Sequence, residues 1–395
     1  MLALPLLTFD AYHRETLPVL AAGPNGVAAA AAVESEPPLA VRVDGQAWTY
    51  RAADGHIDVS EGVAADVAVV LDLSAAAWSD LVQLVRTIPA LMIASEVTVT
   101  GGGPSLDRWE RALRTLCQGV PIADPGATTL VDAHDAPLDI HRSLTLDDSD
   151  EELAAFLNRV GVMRVRAVFT ADEIAALNAE VDRLAAAAHP GDDRSWWSQR
   201  EDGSDVLCRL VYASEQSQQI GALAHDARLR RLVNLVRDDL QPTTDRMEGI
   251  GVVIKPPGKL RGLANIPWHT DCGLGGHLIQ CPSVAIGVQL TDATPETGCF
   301  EAIAGTHGAS CPVPTGEDLA RWPHLLVPTE AGDVTVHIAD LMHASPRPTG
   351  VGGRRTMYVS YYPPTLFKHV GPGEAYNDAI RRRTASDVAD ALAGR

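Results

Sequence analysis

From about residue 40 the chain alternates apolar and polar positions in short runs, "LAVRVDG", "AWTYRAA", "HIDVSEG" and "VAVVLDLS". A period of two places one face of each run against a core and the other in water, which predicts strands. The pattern then shifts to the helical period in "SAAAWSDLVQLVRTI", with Ser74 placed to cap its first turn. A further strand, "EVTVTGGG", precedes a second helix, "SLDRWERALRTLCQG", closed by Gly119. Strands followed by helices predict a small α+β domain over residues 1–120. Residues 121–145, beginning "PIADPGATTLVDAHDAPLD", keep no period and read as a linker. Helical periodicity returns in "SDEELAAFLNRVG" and, after the strand-like "VMRVRAVF", in "TADEIAALNAEVDRLAAAA", where Thr170 and Glu173 make a capping box. From 246 to 363 short strands are broken by Gly and Pro, the signature of a sandwich or jelly roll. The second domain is expected over 146–370, with a helical tail at 371–395.

Composition narrows the partners. A net charge of −19 argues against a nucleic-acid surface or a basic membrane footprint. No apolar stretch reaches the length of a membrane span. The six cysteines are scattered with no CxxC pair, which fits a reduced, cytoplasmic protein better than a disulfide framework. A small-molecule partner is therefore expected. Oligomeric state is not legible.

The chemistry concentrates late in the chain. In "IPWHTDCGLGGH", His269 and Asp271 stand two apart, so a strand would aim an imidazole and a carboxylate at one point. A third ligand could come from His343 or from His337, both in "GDVTVHIADLMHAS", and strand spacing does not choose between them. Two imidazoles and one carboxylate form the facial set that leaves positions open on ferrous iron. Arg354, eleven residues beyond His343, favours His343, because a guanidinium fork suits the far carboxylate of a dianion. Ser345 shares a face with His343 and could add a hydroxyl. Arg355 would face the other way on a strand, but a one-residue register slip would exchange it with Arg354. Two segments in this acidic chain carry cations and no acid between their flanking acids: Lys255, Lys259 and Arg261 in one, and Arg347, Arg354, Arg355 and Lys368 in the other.

Several ordered motifs carry a resemblance. "VMRVRAVFTADEIAALNAEVDRL", "IKPPG", "WHTD", "TGCFEAIAGTHGAS" and "AGDVTVHIADLMHASPRPTGVGGRR" together resemble the phytanoyl-CoA hydroxylase family of iron(II)/2-oxoglutarate oxygenases, over about residues 145–370. The resemblance implies a double-stranded β-helix, or jelly roll, with flanking helices. It implies Fe(II) on His269, Asp271 and His343, and 2-oxoglutarate on Arg354; Ser345 and Lys255 are further candidates to bind the co-substrate. With O2 these would hydroxylate an aliphatic C–H, releasing succinate and CO2. Because Asp271 is present, halogenation is not implied; desaturation, cyclisation and epimerisation stay open. One departure is "ASPRPTGVGGRR", which lacks the asparagine many relatives carry midway. Trp268, Arg261, Trp197 (with Trp196) and Arg200 are candidates to line the mouth of the site. Residues 40–119 resemble the sterol carrier protein family, which implies a sheet and helices able to enclose an apolar ligand; a docking or dimerisation piece is the plainer reading. The first of these makes a hydrophobic, lipid-like substrate more attractive; a small hydrophobic natural product is equally compatible. Two alternatives compete: a lipid carrier with an inactive oxygenase domain, and a zinc hydrolase on the same three ligands.

Overall fold

A computed structural model describes residues 4–132, 134–258, 260–261, 266–274, 282–350 and 352–368. The helical tail expected at 371–395 lies outside them. Strands β1 (Leu39–Val43), β2 (Gln46–Ala53), β3 (His56–Glu61), β4 (Val69–Leu73) and β5 (Val97–Thr100) form one sheet in the order β3-β2-β1-β4-β5. Its first two hairpins turn on Asp44-Gly45 and Asp54-Gly55, four residues with positive φ, as a two-residue Asp-Gly loop requires. The β1–β4 pair is parallel and the rest are antiparallel.

Helices Ala75–Val82 and Pro104–Gln118 bury Trp78 and Trp109 in the core of this unit. Ser74 caps the first, its Oγ accepting from the Ala77 amide at 3.1 Å. The run "SAAAWSDLVQLVRTI" does not continue as one helix. It stops at Val82, Leu84 takes φ +55°, and a new helix, Ile88–Ala94, starts behind a Thr87 cap with Pro89 in its first turn. His13 is enclosed between Trp48 and Trp78, donating from Nδ1 to the Phe9 carbonyl at 2.7 Å and accepting from the Tyr50 hydroxyl at 2.6 Å.

The second unit has two antiparallel sheets. The larger contains β6 (Val162–Val165), β7 (Ser195–Arg200), β8 (Asp205–Leu210), β9 (Gln241–Pro242), β10 (Gly251–Lys255) and β11 (Leu260–Arg261). The smaller begins with β12 (Ile266–His269), and the larger resumes with β13 (Val284–Gln289). β14 (Phe300–Ile303) and β15 (His324–Val327) belong to the smaller, β16 (Val334–Ile338) to the larger, β17 (His343–Ser345) to the smaller and β18 (Arg354–Tyr362) to the larger. Their orders are β11-β7-β8-β10-β18-β13-β16-β6, with β9 on β18, and β12-β17-β14-β15.

Alternation along β18 gives the large sheet its two characters. Met357, Val359 and Tyr361 pack in the apolar core beneath helices Asp150–Val160 and Ala171–Ala187. Arg354, Thr356 and Tyr358 take the opposite face, in register with Lys255, Gln289 and Gly287. That inner face meets the small sheet. Gly287 is required there: a Cβ would lie 2.6 Å from Thr335 Oγ1 and 3.0 Å from the Tyr358 ring. Helix Ile88–Ala94 of the first unit lies beside the short helix Asp271–Leu274 of the second.

Candidate functional site

His269 ends β12 and pairs across the ladder with His343, the first residue of β17. Asp271 is not on the strand. It opens the helix Asp271–Leu274, so the two-residue spacing converges across a strand-to-helix turn rather than along one strand face. Asp271 Oδ1 lies 3.3 Å from His269 Nε2 and 3.6 Å from His343 Nε2. Among the described residues these three form the group of ligand-type side chains whose donor atoms all lie within 4.8 Å of one another.

Backbone carbonyls set the tautomers. His269 Nδ1 is 2.7 Å from the Pro267 oxygen and His343 Nδ1 is 2.9 Å from the Leu341 oxygen. Each Nδ1 therefore donates, leaving both Nε2 lone pairs aimed at one point. Burial would raise the Asp271 carboxyl, but His343 and the contacts from His269 and His337 hold it well below the usual carboxylate range. Burial, with His269 alongside, pushes the His343 imidazole well below its ordinary value. Phe300 stacks on His343 at 4.9 Å. Two imidazole nitrogens and a carboxylate oxygen suit a divalent transition metal.

Arg354 is 2% exposed, and its guanidinium donates to Thr356 Oγ1 and Ser345 Oγ, each at 2.5 Å. Its Nε is buried without a partner, and no carboxylate pairs with it among the described residues. A buried guanidinium lacking an anion is costly, and it fits the carboxylate of a dianionic ligand. Arg355 points outward and pairs with Asp182 at 2.7 Å. Lys255 differs from expectation: its ammonium donates to the Ser345 and Pro346 carbonyls, bracing the strand that carries Ser345. Burial, with Arg354 beside it, lowers that ammonium well below its ordinary value.

The mouth candidates are not brought together. Trp268 takes the outer face of the small sheet, packed on Ile303 and Met342 and edge-on to His324 at 5.8 Å, away from the ligand cluster. Trp197 donates to Ser195 Oγ at 2.8 Å, and Arg200 is spent on the Pro257 carbonyl at 3.2 Å. The Arg261 side chain lies outside the described residues, as does Lys259, and Arg347 is exposed. Of the cations in the two acid-free segments, Lys255 and Arg354 reach the interior. Cys272 is disulfide-bonded. Cys117, Cys208, Cys299 and Cys311 are free, so the described residues hold no disulfide framework.

Two contacts escaped the sequence. His337, weighed there as an alternative ligand, has its Nε2 3.0 Å from Asp271 Oδ2. Arg209 lies 4.9 Å over the Trp196 ring and 3.1 Å from Glu248, and that carboxyl is raised by burial against the opposing pull of Arg209 and feels the charges of Asp271 and His269. The one available signal was an acid directly before "GIGVVIK".

The family model for phytanoyl-CoA dioxygenase (PhyH) matches residues 157–356. Comparison with curated proteins gives no match. Among solved structures, AviO1 from Streptomyces viridochromogenes Tue57 is 26% identical, with 58% of this chain and 98% of that one covered and a TM-score of 0.45. EctD from S. alaskensis, solved with 2-oxoglutarate and 5-hydroxyectoine, is 24% identical over 62% of this chain and 83% of its own, with a TM-score of 0.48. The non-heme alpha ketoglutarate dependent epimerase SnoN from nogalamycin biosynthesis is 24% identical over 54% and 80%, with a TM-score of 0.42.

Proposed function

The chain belongs to the phytanoyl-CoA dioxygenase family, and from that premise we propose how its own residues serve an oxygenase. It is an Fe(II)/2-oxoglutarate-dependent dioxygenase, and the bound pair supplies the oxidising chemistry that consumes O2 and releases succinate and CO2. His269 Nε2, Asp271 Oδ1 and His343 Nε2 hold the iron. Arg354 binds the far carboxylate of 2-oxoglutarate, and Ser345 Oγ, which accepts from Arg354 and donates to the Gly298 carbonyl at 2.9 Å, fixes the guanidinium in place. Lys255 braces that strand end. The observation that carries this reading is two imidazole Nε2 atoms and a carboxylate converging in an interior that also holds a buried arginine with no carboxylate partner among the described residues.

The reaction is proposed to be oxidation of an aliphatic C–H in a small molecule. A lipid-like substrate draws support from the resemblance of residues 40–119 to sterol carrier proteins. Against it, the interior of that unit is filled by Trp78, Trp109 and Tyr50, which favours a packing role over carriage. The Arg209–Glu248 pair favours a substrate with polar groups.

An anaerobic titration of apo-protein with Fe(II) and 2-oxoglutarate tests the reading. A visible charge-transfer band is expected, absent in His343→Ala and weakened in Arg354→Ala. No band from well-folded wild type would overturn it, and 2-oxoglutarate-independent hydrolysis with zinc would replace it.

A further inference from the structure

The proposed ligand set uses one oxygen of Asp271 and leaves the other to a residue outside the set. His337 is the penultimate residue of β16, 1% exposed, with its Nε2 3.0 Å from Asp271 Oδ2. The opposite oxygen, Oδ1, is the one facing His269 and His343, at 3.3 and 3.6 Å. The carboxylate is thus divided between two sheets. His337 belongs to the large sheet, where β16 is paired on both sides, by β13 and β6, and its ring cannot easily follow a moving partner. The two other histidines belong to the small sheet.

The hydrogen-bond roles of this imidazole are fixed by its surroundings. A carboxylate accepts, so His337 Nε2 carries the hydrogen. Its Nδ1 is then a bare lone pair, buried and without a partner among the described residues, in a ring whose centroid is 4.9 Å from that of Phe300. A leucine or phenylalanine would fill this place with no orphaned atom. What the imidazole adds over either is the N–H directed at Asp271.

We propose that His337 is a positioning residue that reserves Asp271 Oδ2 and thereby makes Asp271 a one-oxygen ligand. The proposal rests on the reading of His269, Asp271 and His343 as the iron site. Its chemical consequence is a matter of coordination number. Two imidazoles and one carboxylate oxygen leave three of six positions, enough for a chelating 2-oxoglutarate and for O2. A carboxylate free to chelate through both oxygens would take one of those positions. Holding a ligand from behind also raises metal affinity, and loss of such a partner typically costs about 10–100-fold.

The test compares His337→Leu, which removes the donor, with His337→Gln, whose amide N–H reaches about as far as Nε2. Fe(II) affinity of each apo-protein is measured anaerobically by competition with a chromogenic chelator, without turnover. The visible spectrum of the Co(II)-loaded proteins, which responds to coordination number, is the second readout. Weakening of Fe(II) binding by about 10–100-fold in the leucine variant, with a changed cobalt spectrum and recovery of both in the glutamine variant, is the expected result. Wild-type affinity and spectrum in a folded leucine variant would overturn the proposal and leave the iron site standing. Equal losses in both variants, in parallel with their thermal stability, would reduce His337 to packing and overturn it too. Failure of the wild type to bind Fe(II) or Co(II) would overturn the iron site and this proposal with it. Should the leucine variant not fold, His337→Asn, whose shorter amide falls short of Oδ2, takes its place in the comparison.

Discussion

Single side chains here carry separable consequences. Arg354 and Arg355 are neighbours in sequence and opposites in space, one 2% exposed beside the ligand cluster and one tied to Asp182 on a helix. Arg354→Lys is expected to raise the Kd for 2-oxoglutarate at least about tenfold, because an ammonium cannot reproduce the fork. Arg355→Ala should leave that Kd unchanged and cost no more than about 1 kcal/mol in denaturant unfolding, as half-exposed ion pairs do. His13 makes a pH prediction. Burial outweighs its hydrogen bond to Phe9 and depresses its pKa from 6.5 to about 4. Between those values the unfolded chain binds a proton that the folded one refuses. Its stabilising contribution is therefore complete above pH 6.5 and falls as pH drops toward 4, by about 3 kcal/mol in all. Urea unfolding at pH 7 and pH 4.5 checks this, and His13→Phe should be less stable at pH 7 with a flatter pH dependence. What the sequence left undecided at this scale was orientation. Strand spacing alone did not choose between His337 and His343, six apart; the Arg354 spacing favoured His343, and β16 and β17 place the two in different sheets.

At the scale of elements, local signals stand in the sequence and long-range ones do not. Ser74, Gly119 and the Thr170–Glu173 capping box stand where the sequence put them, because caps depend on residues three or four apart. The helix that breaks at Val82 was missed, since apolar periodicity runs on through "LVQLVRTI" while Leu84 turns to positive φ and Thr87 recaps. The turn after His269 was missed for a related reason: a His-x-Asp spacing fits a strand face and a strand-to-helix corner equally well. Register lies further still from local text. Gly287 lies under Tyr358 only because β13 and β18 pair as they do. Gly287→Ala is expected to destabilise the second unit by about 1–3 kcal/mol, the range for overpacking a filled interior, measured by denaturant titration. Iron binding should survive in the fraction that folds, since none of the three proposed ligands lies on β13.

At the scale of the whole molecule, the two larger hydrophobic cores among the described residues belong to different units, and the units meet near the proposed iron site. Helix Ile88–Ala94 lies beside the helix that begins with Asp271. Among the described residues no helix is long and apolar enough to cross a membrane. The meeting of the units predicts that the first responds to the state of the second. Loading Fe(II) and 2-oxoglutarate is expected to slow amide hydrogen exchange in residues 84–96, seen by mass spectrometry. Unchanged exchange there, with slowing confined to residues 266–274, would mean that the contact transmits nothing. None of this proximity was legible in the sequence, where the two helices stand about 180 residues apart.

β12 is the outermost strand of its four-stranded sheet, and its ladder with β17 is interrupted between Ile266 and His269. The last rung of that ladder is the His269–His343 pair itself. An ion bridging the two imidazoles would act as a clasp on a loose hem, and removing it would let the hem lift. The freed edge would offer unsatisfied backbone, with Ile266 and Trp268 beside it, to another copy of the chain. Shelf life is then a metal question. Protein stored with a chelator should grow light-scattering aggregates that protein stored anaerobically with Fe(II) does not.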